Sequence, residues 1–207
     1  MTVFPHVLHE PVKEDDWLTE VFQVPLERQF AEIVLYYEIA DPTDLTLQLA
    51  RLVARSGATK LVLKGDWPEY NYLNAFKVEH PNVDVILHVT HEALEAVAWD
   101  REFFTGLLLR YGNVLSGIEL ELDARTGMSV EAEKLVGFVE SLRDSGMQHI
   151  GVLGCFTPEN LERLHPLLSA CSYLSIIHTG GFLIENGDMD VERLDSYVNA
   201  VFALLYP

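Results

Sequence analysis

Three acidic side chains alternate with apolar ones along a single predicted strand. The run 118–123 reads Ile-Glu-Leu-Glu-Leu-Asp, and successive strand residues point to opposite faces, so Glu119, Glu121 and Asp123 share one face. Carboxylates held this close repel, so one of them must keep a proton, bind a cation or pair with a base. Asp123 and Glu121 lie nearest the carboxyl end of the strand, where we expect proton transfer. A solvated acidic edge strand is the alternative.

Two later segments join short apolar strands to glycine turns. The first runs through Gly154, Cys155 and Thr157, and the second reaches Gly180 and Gly181. A threonine followed by proline is typical of a helix start, and backbone N–H groups at such turns bind anions. We therefore predict that these five residues bind the phosphate of a small molecule, although any α/β protein needs similar turns.

Polar residues also end the other predicted strands. Lys64 is a candidate catalytic residue, as a partner of Glu121 or of a phosphate, and a surface lysine is the alternative. Glu38, His88 and His178 occupy corresponding strand-terminal positions and are expected around the same mouth. The histidines near the third strand lack a third ligand at a suitable spacing, so we predict no metal ion and no other cofactor.

Strand and helix signals alternate from residue 31 onward, and this pattern predicts the fold. The predicted strands cover residues 31–39, 60–64, 83–89, 118–122, 149–153 and 174–178, and the predicted helices cover about 42–55, 68–79, 91–111, 129–145 and the last residues. One helix end, glycine turn and strand occur twice, at 53–65 and 142–154. We predict a single-domain (β/α)8 TIM barrel over residues 1–207. Two further strands are expected from residues 2–8 and 103–109, and the pattern leaves open whether residues 91–116 hold a helix or a strand.

Composition excludes several classes of protein. The chain has 207 residues, half of them apolar, and a formal net charge of −18, which argues against binding nucleic acid or an anionic membrane. The first residues lack a signal-peptide pattern, and no apolar run is long enough to span a membrane. Two cysteines form no disulfide framework. We expect a soluble cytoplasmic protein, and the sequence leaves a homodimer open.

The end of the chain resembles a known family. Residues 149–203 are similar to the last two βα units of phosphoribosylanthranilate isomerase and its phosphate-binding (β/α)8 relatives, through the Gly-Cys-Phe-Thr-Pro-Glu-Asn run at 154–160 and the His-Thr-Gly-Gly run at 178–181. The resemblance implies a phosphate site at both turns. It also implies that Asp123 is the general acid of an Amadori rearrangement, since Leu122-Asp123 stands where the family has its catalytic aspartate.

The family's other catalytic features are missing. No cysteine precedes Cys155, which itself replaces a glycine of the phosphate turn, and His178 and Thr179 replace paired serines. We therefore predict a barrel that binds a sugar phosphate-like molecule at its carboxyl-end mouth, with isomerase or lyase chemistry if it is an enzyme. A non-catalytic relative that binds a metabolite or a protein, and a metal-dependent sugar isomerase-like enzyme, are the alternatives.

Overall fold

Six parallel strands form the framework of the protein. A computed structural model describes residues 34–39, 42–65, 67–122, 132–154, 156–178 and 191–205. The strands are β1 (Val34–Glu38), β2 (Lys60–Lys64), β3 (Asp84–Val89), β4 (Gly117–Glu121), β5 (His149–Gly154) and β6 (Ser175–His178). Each strand pairs with the next one along the chain. Six of the predicted strands agree with these to within three residues, and the predicted strand over 2–8 lies outside the described residues.

Helices connect the strands and cover one side of the sheet. They are α1 (Leu45–Ser56), α2 (Tyr70–Glu79), α3 (His91–Ala96), α4 (Arg101–Leu109), α5 (Ala132–Asp144), α6 (His165–Ala170) and α7 (Val191–Leu205), with a 3₁₀ turn at Leu161–Leu164. Among the helices of the described ranges, none combines the length and the apolar character that crossing a bilayer requires.

The strand order identifies a singly wound α/β fold. A doubly wound sheet reverses its strand order at one point, whereas the order here runs from β1 to β6 without reversal. The main core lies between the helices and one face of the sheet, where strand residues such as Leu61, Leu87 and Ile118 pack with helix residues such as Leu49 and Phe104. Helices packed on a single face of a parallel sheet are the arrangement of a (β/α) barrel.

The opposite face of the sheet is concave. It carries a small apolar cluster of Val34, Val62 and Ile86 beside Tyr36. The Tyr36 hydroxyl on β1 donates a hydrogen bond of 2.9 Å to Glu119 on β4. Three strand spacings separate β1 from β4, about 14 Å along a flat sheet. The hydrogen bond therefore requires the sheet to curl around this face, which we call the interior face.

The region between β3 and β4 differs from the sequence prediction. Residues 103–109 form most of helix α4 and not a strand, and the predicted helix over 91–111 is two helices. The helix is interrupted between them because Ala98 and Trp99 adopt left-handed conformations, with φ of 51° and 57°. The Asp100 carboxylate then accepts a hydrogen bond from the Phe103 N–H, which caps α4. The Trp99 ring packs edge-on against Phe138 of α5.

The repeated joint found in the sequence is present in the structure. The first copy ends α1 at Ser56, and the second follows the end of α5 at Asp144. Gly57 and Gly146 adopt left-handed conformations, with φ of 65° and 81°, which glycine tolerates without steric cost. Strands β2 and β5 begin three residues after these glycines. This part of the internal repeat prediction is confirmed.

Candidate functional site

Polar residues gather on the interior face near the carboxyl ends of the central strands. The strand register places Glu38 opposite Lys64, Lys64 opposite His88, and His88 opposite Glu119. Glu121 is two residues further along β4 and shares this face. Ile118 and Leu120, which alternate with these acids along β4, lie in the main core on the other face, as the alternation predicts. These polar residues project toward the end at which barrel enzymes hold their active sites.

A histidine and a carboxylate form the centre of this group. His88 Nε2 donates a hydrogen bond of 3.2 Å to Oε2 of Glu121. The His88 side chain is 6% exposed and that of Glu121 is 18% exposed, so solvent reaches the pair from the carboxylate side. The second ring nitrogen, Nδ1 of His88, is buried and has no hydrogen-bond partner among the described residues. A bound molecule is one source of the missing acceptor or donor.

The surroundings of Glu121 favour its charged form. The hydrogen bond from His88 is the largest cause and lowers the pKa of the Glu121 carboxyl below its usual value, while partial burial acts in the opposite direction. The charges of His88 and Lys64 lower this pKa further, and Glu92 raises it. Glu121 is therefore a carboxylate near neutral pH, able to accept a proton. Lys64 was predicted to pair with Glu121 or to contact a phosphate. It acts on the Glu121 carboxylate through its charge, while His88 is the hydrogen-bonding partner of that carboxylate.

A second acid of the same strand is buried deeper in the interior. Glu119 is 2% exposed, which rules out the solvated acidic strand that the sequence left open for it. Burial and the nearby Glu119 carboxylate raise the pKa of Tyr36, so the tyrosine keeps its proton and remains a donor. His149 Nε2 lies 3.7 Å from Glu119 Oε1, beyond hydrogen-bond range. Neither Tyr36 nor His149 was predicted to contact this acid, because alternation shows which face a residue occupies but not which strand its side chain reaches.

One glycine allows His149 to occupy its position. A Cβ at Gly117, the residue paired with His149 across β4 and β5, would lie 2.5 Å from His149 Cβ and 2.7 Å from its carbonyl oxygen. No side chain fits there without moving the backbone of β5. The glycine that begins β4 is thus a sequence signal for the close approach of these two strands.

The first glycine turn is not built as predicted. The 3₁₀ helix begins at Leu161 and not at Thr157, which starts the turn before it. The Thr157 carbonyl accepts hydrogen bonds from the N–H groups of Asn160 and Leu161, and the Thr157 N–H donates to Oδ1 of Asn160 at 2.8 Å. The Asn160 side chain thus occupies one of the backbone N–H groups of this turn. A Cβ at Gly154 would lie 3.0 Å from the Phe156 ring, closer than ordinary packing contact.

Several predicted site residues lie outside the described residues. These are Asp123, Cys155, Gly180 and Gly181. His178 is the last residue of β6. The strand register pairs it with Gly154, the last residue of β5. In the described ranges, no group of three or more histidine, cysteine, aspartate and glutamate side chains is arranged to hold a metal ion.

The fold is similar to one found among solved structures. No protein-family model and no curated protein matches the chain in sequence. The structure of N-(5'-phosphoribosyl)anthranilate isomerase from Pyrococcus furiosus matches with a TM-score of 0.59 and 13% sequence identity, over 95% of this chain and 86% of that chain. Identity this low carries the fold and not the activity. The α/β chain thus shares the barrel fold of phosphoribosylanthranilate isomerase, the resemblance that its sequence predicted.

Proposed function

We propose that the chain binds a phosphorylated small molecule at the carboxyl-end mouth of the barrel and that Glu121 and His88 move a proton on it. The observation that carries this proposal is the hydrogen bond between His88 and the partly exposed Glu121 carboxylate. A carboxylate with one partner inside and one side open to solvent is placed to take a proton from a bound molecule. His88 remains the hydrogen-bond partner of Glu121 before and after the carboxylate takes the proton.

Lys64 supplies the positive charge that a phosphorylated ligand needs in this acidic protein. The strand register pairs it with His88, so it lies beside the proposed proton-transfer pair. A lysine here would attract the dianionic phosphate or stabilise negative charge that develops on the substrate. Asp123, two residues beyond Glu121, is proposed as the proton donor that completes isomerase or lyase chemistry. The two glycine turns, with Thr157, Cys155 and Gly180, are proposed to contact the phosphate.

Thermal unfolding with matched ligands tests the binding proposal. Ribose 5-phosphate should raise Tm, inorganic phosphate should raise it less, and ribose should have no effect. A ligand that binds only the folded state stabilises it by about 2.7 kcal/mol at a concentration of 100 times Kd. No shift with either phosphate compound would overturn the proposal.

Two lysines on the same strand provide the control. Lys64→Met should abolish the shift with ribose 5-phosphate, whereas Lys60→Met should retain it. Both lysines lie on the interior face of β2, one at each end, so both variants lose the same charge. Loss in Lys60→Met alone would move the phosphate to the other end of the sheet and contradict the proposal.

A non-catalytic relative remains the second candidate, and the first glycine turn favours it. The Phe156 ring lies beside Gly154 and the Asn160 side chain occupies the Thr157 N–H, which leaves fewer open backbone donors at that turn for an anion. Under this alternative, a metabolite still binds near Lys64, but Glu121→Gln changes no rate. Turnover of any sugar phosphate that disappears in Glu121→Gln would exclude it.

A further inference from the structure

One buried carboxylate on the interior face takes no part in the proposed proton transfer. Glu119 of β4 is 2% exposed, and its Oε2 accepts the hydrogen bond of 2.9 Å from the Tyr36 hydroxyl. A carboxylate held this far from bulk water is costly unless its oxygens have hydrogen-bond partners. Tyr36 is the partner of Oε2, and Oε1 is left to accept a hydrogen bond from within the interior.

Two histidine rings are the polar neighbours of this carboxylate. The strand register pairs His88 of β3 with Glu119, on the same face of the sheet. His149 of β5 brings its Nε2 to 3.7 Å from Oε1 of Glu119. Nδ1 of His88 and Nε2 of His149 are both buried, and neither has a hydrogen-bond partner among the described residues. A buried carboxylate and two buried ring nitrogens therefore share this part of the interior.

One water molecule can satisfy all three groups. Buried waters typically make about three hydrogen bonds to polar groups that lack another partner. A distance of 3.7 Å is too long for a direct hydrogen bond, and a water between His149 and Glu119 can accept from Nε2–H and donate to Oε1. Its second hydrogen can be donated to His88. The donors and acceptors balance, because a neutral His88 ring that donates from Nε2 to Glu121 has an acceptor at Nδ1.

We propose that Glu119 is a positioning residue that holds the His88 ring through one buried water. The water contacts Oε1 of Glu119, Nε2 of His149 and Nδ1 of His88. Because Nδ1 is held in this way, the ring keeps Nε2 directed at the Glu121 carboxylate. This role rests on the proposed function, since it supports the proton transfer assigned to Glu121 and His88. Glu119 itself contacts no reacting atom.

Proton NMR of the ligand-free full chain tests this proposal. The Nε2–H signal of His88, identified by its loss in His88→Gln, should be visible because a held ring protects this hydrogen from exchange with solvent. The signal should disappear in Glu119→Met and persist in Glu119→Gln, which keeps a polar group for the water. Tyr36→Phe is the matched control: it breaks the same hydrogen bond to Oε2 as Glu119→Met but leaves Oε1, so the signal should persist. A signal absent from the wild-type protein, or retained in Glu119→Met, would overturn the proposal.

A high-resolution crystal structure of the wild-type protein decides the matter even where Glu119→Met fails to fold. One water should lie about 2.7–3.2 Å from each of the three atoms, Oε1 of Glu119, Nε2 of His149 and Nδ1 of His88. No water at this place, or a water that does not contact His88, would refute the positioning role and leave the thermal shift with ribose 5-phosphate as it was. A Tm unchanged by ribose 5-phosphate while the water is in place would instead contradict the proposed function.

Discussion

Replacing Glu121 by glutamine removes the negative charge of the His88 pair while keeping the size of the side chain. Hydrogen bonds to charged groups contribute about 1.5–3 kcal/mol to stability. The Glu121 side chain is 18% exposed, and solvent screening reduces this figure, so we expect Glu121→Gln to lower the free energy of unfolding by about 1–2 kcal/mol near pH 7. For a chain of this size, that loss corresponds to a fall in Tm of about 2–8 °C.

The loss should depend on pH in one direction. The folded state lowers the pKa of the Glu121 carboxyl, chiefly through the hydrogen bond from His88. A lowered folded pKa stabilises the protein above the unfolded value, about 4.3, and this contribution is lost as the pH falls through the folded value. The difference between wild type and Glu121→Gln should therefore be full near pH 7. It should shrink steadily below about pH 5.

The helix α3 offers a matched control for this variant. His91 Nε2 lies 3.3 Å from Oε1 of Glu95, but the Glu95 side chain is 62% exposed. Glu95→Gln removes the same charge from a histidine partner and should cost less than about 0.5 kcal/mol, because exposed pairs contribute little. Urea unfolding of the three proteins at several pH values supplies the comparison. Equal losses in both variants, or a Glu121→Gln loss that does not change with pH, would refute the reasoning.

Four further substitutions test how the fold holds the site. Gly117→Ala should cost about 2–3 kcal/mol in urea unfolding, because the new methyl group meets the backbone of β5 at 2.7 Å; a loss under about 0.5 kcal/mol would contradict this. Tyr36→Phe removes a hydrogen bond to the buried Glu119 carboxylate and should cost about 1–3 kcal/mol; an unchanged stability would show that the bond contributes nothing. Gly57→Ala should lower Tm, because φ of 65° at this position is unfavourable for alanine. Gly106→Ala should raise Tm, because this glycine lies inside α4 with open space around it. Changes of the same sign in both variants would contradict the left-handed conformation at Gly57 or the helical one at Gly106.

Much of the fold follows from hydrophobic pattern and turn chemistry. Alternation in β4 and short apolar runs elsewhere predicted six strands, and the two Ser-Gly helix ends predicted the joints before β2 and β5. The break in residues 97–100 was not predictable in this way. Alanine and tryptophan seldom adopt positive φ, so the residue types of Ala98 and Trp99 give no signal for this turn. The packing of the Trp99 ring against Phe138 stabilises it instead.

The candidate site was predictable in part. Strand ends identified His88, Lys64 and Glu121, but the partner of Glu121 was expected to be the lysine, since pattern alone does not give the reach of a side chain across neighbouring strands. Thr157 starts a turn as its residue type predicts, with its N–H donated to the Asn160 side chain, but the regular helix begins only at Leu161.

A crystal structure grown with ribose 5-phosphate tests the central claim most directly. The account predicts the ligand beyond the carboxyl ends of β2, β3 and β4, with its phosphate near Lys64 and its sugar facing the carboxylate of Glu121, which still accepts the hydrogen bond from His88. A ligand bound only at the amino ends of the strands, or a Glu121 side chain turned away from His88 toward bulk water, would contradict it.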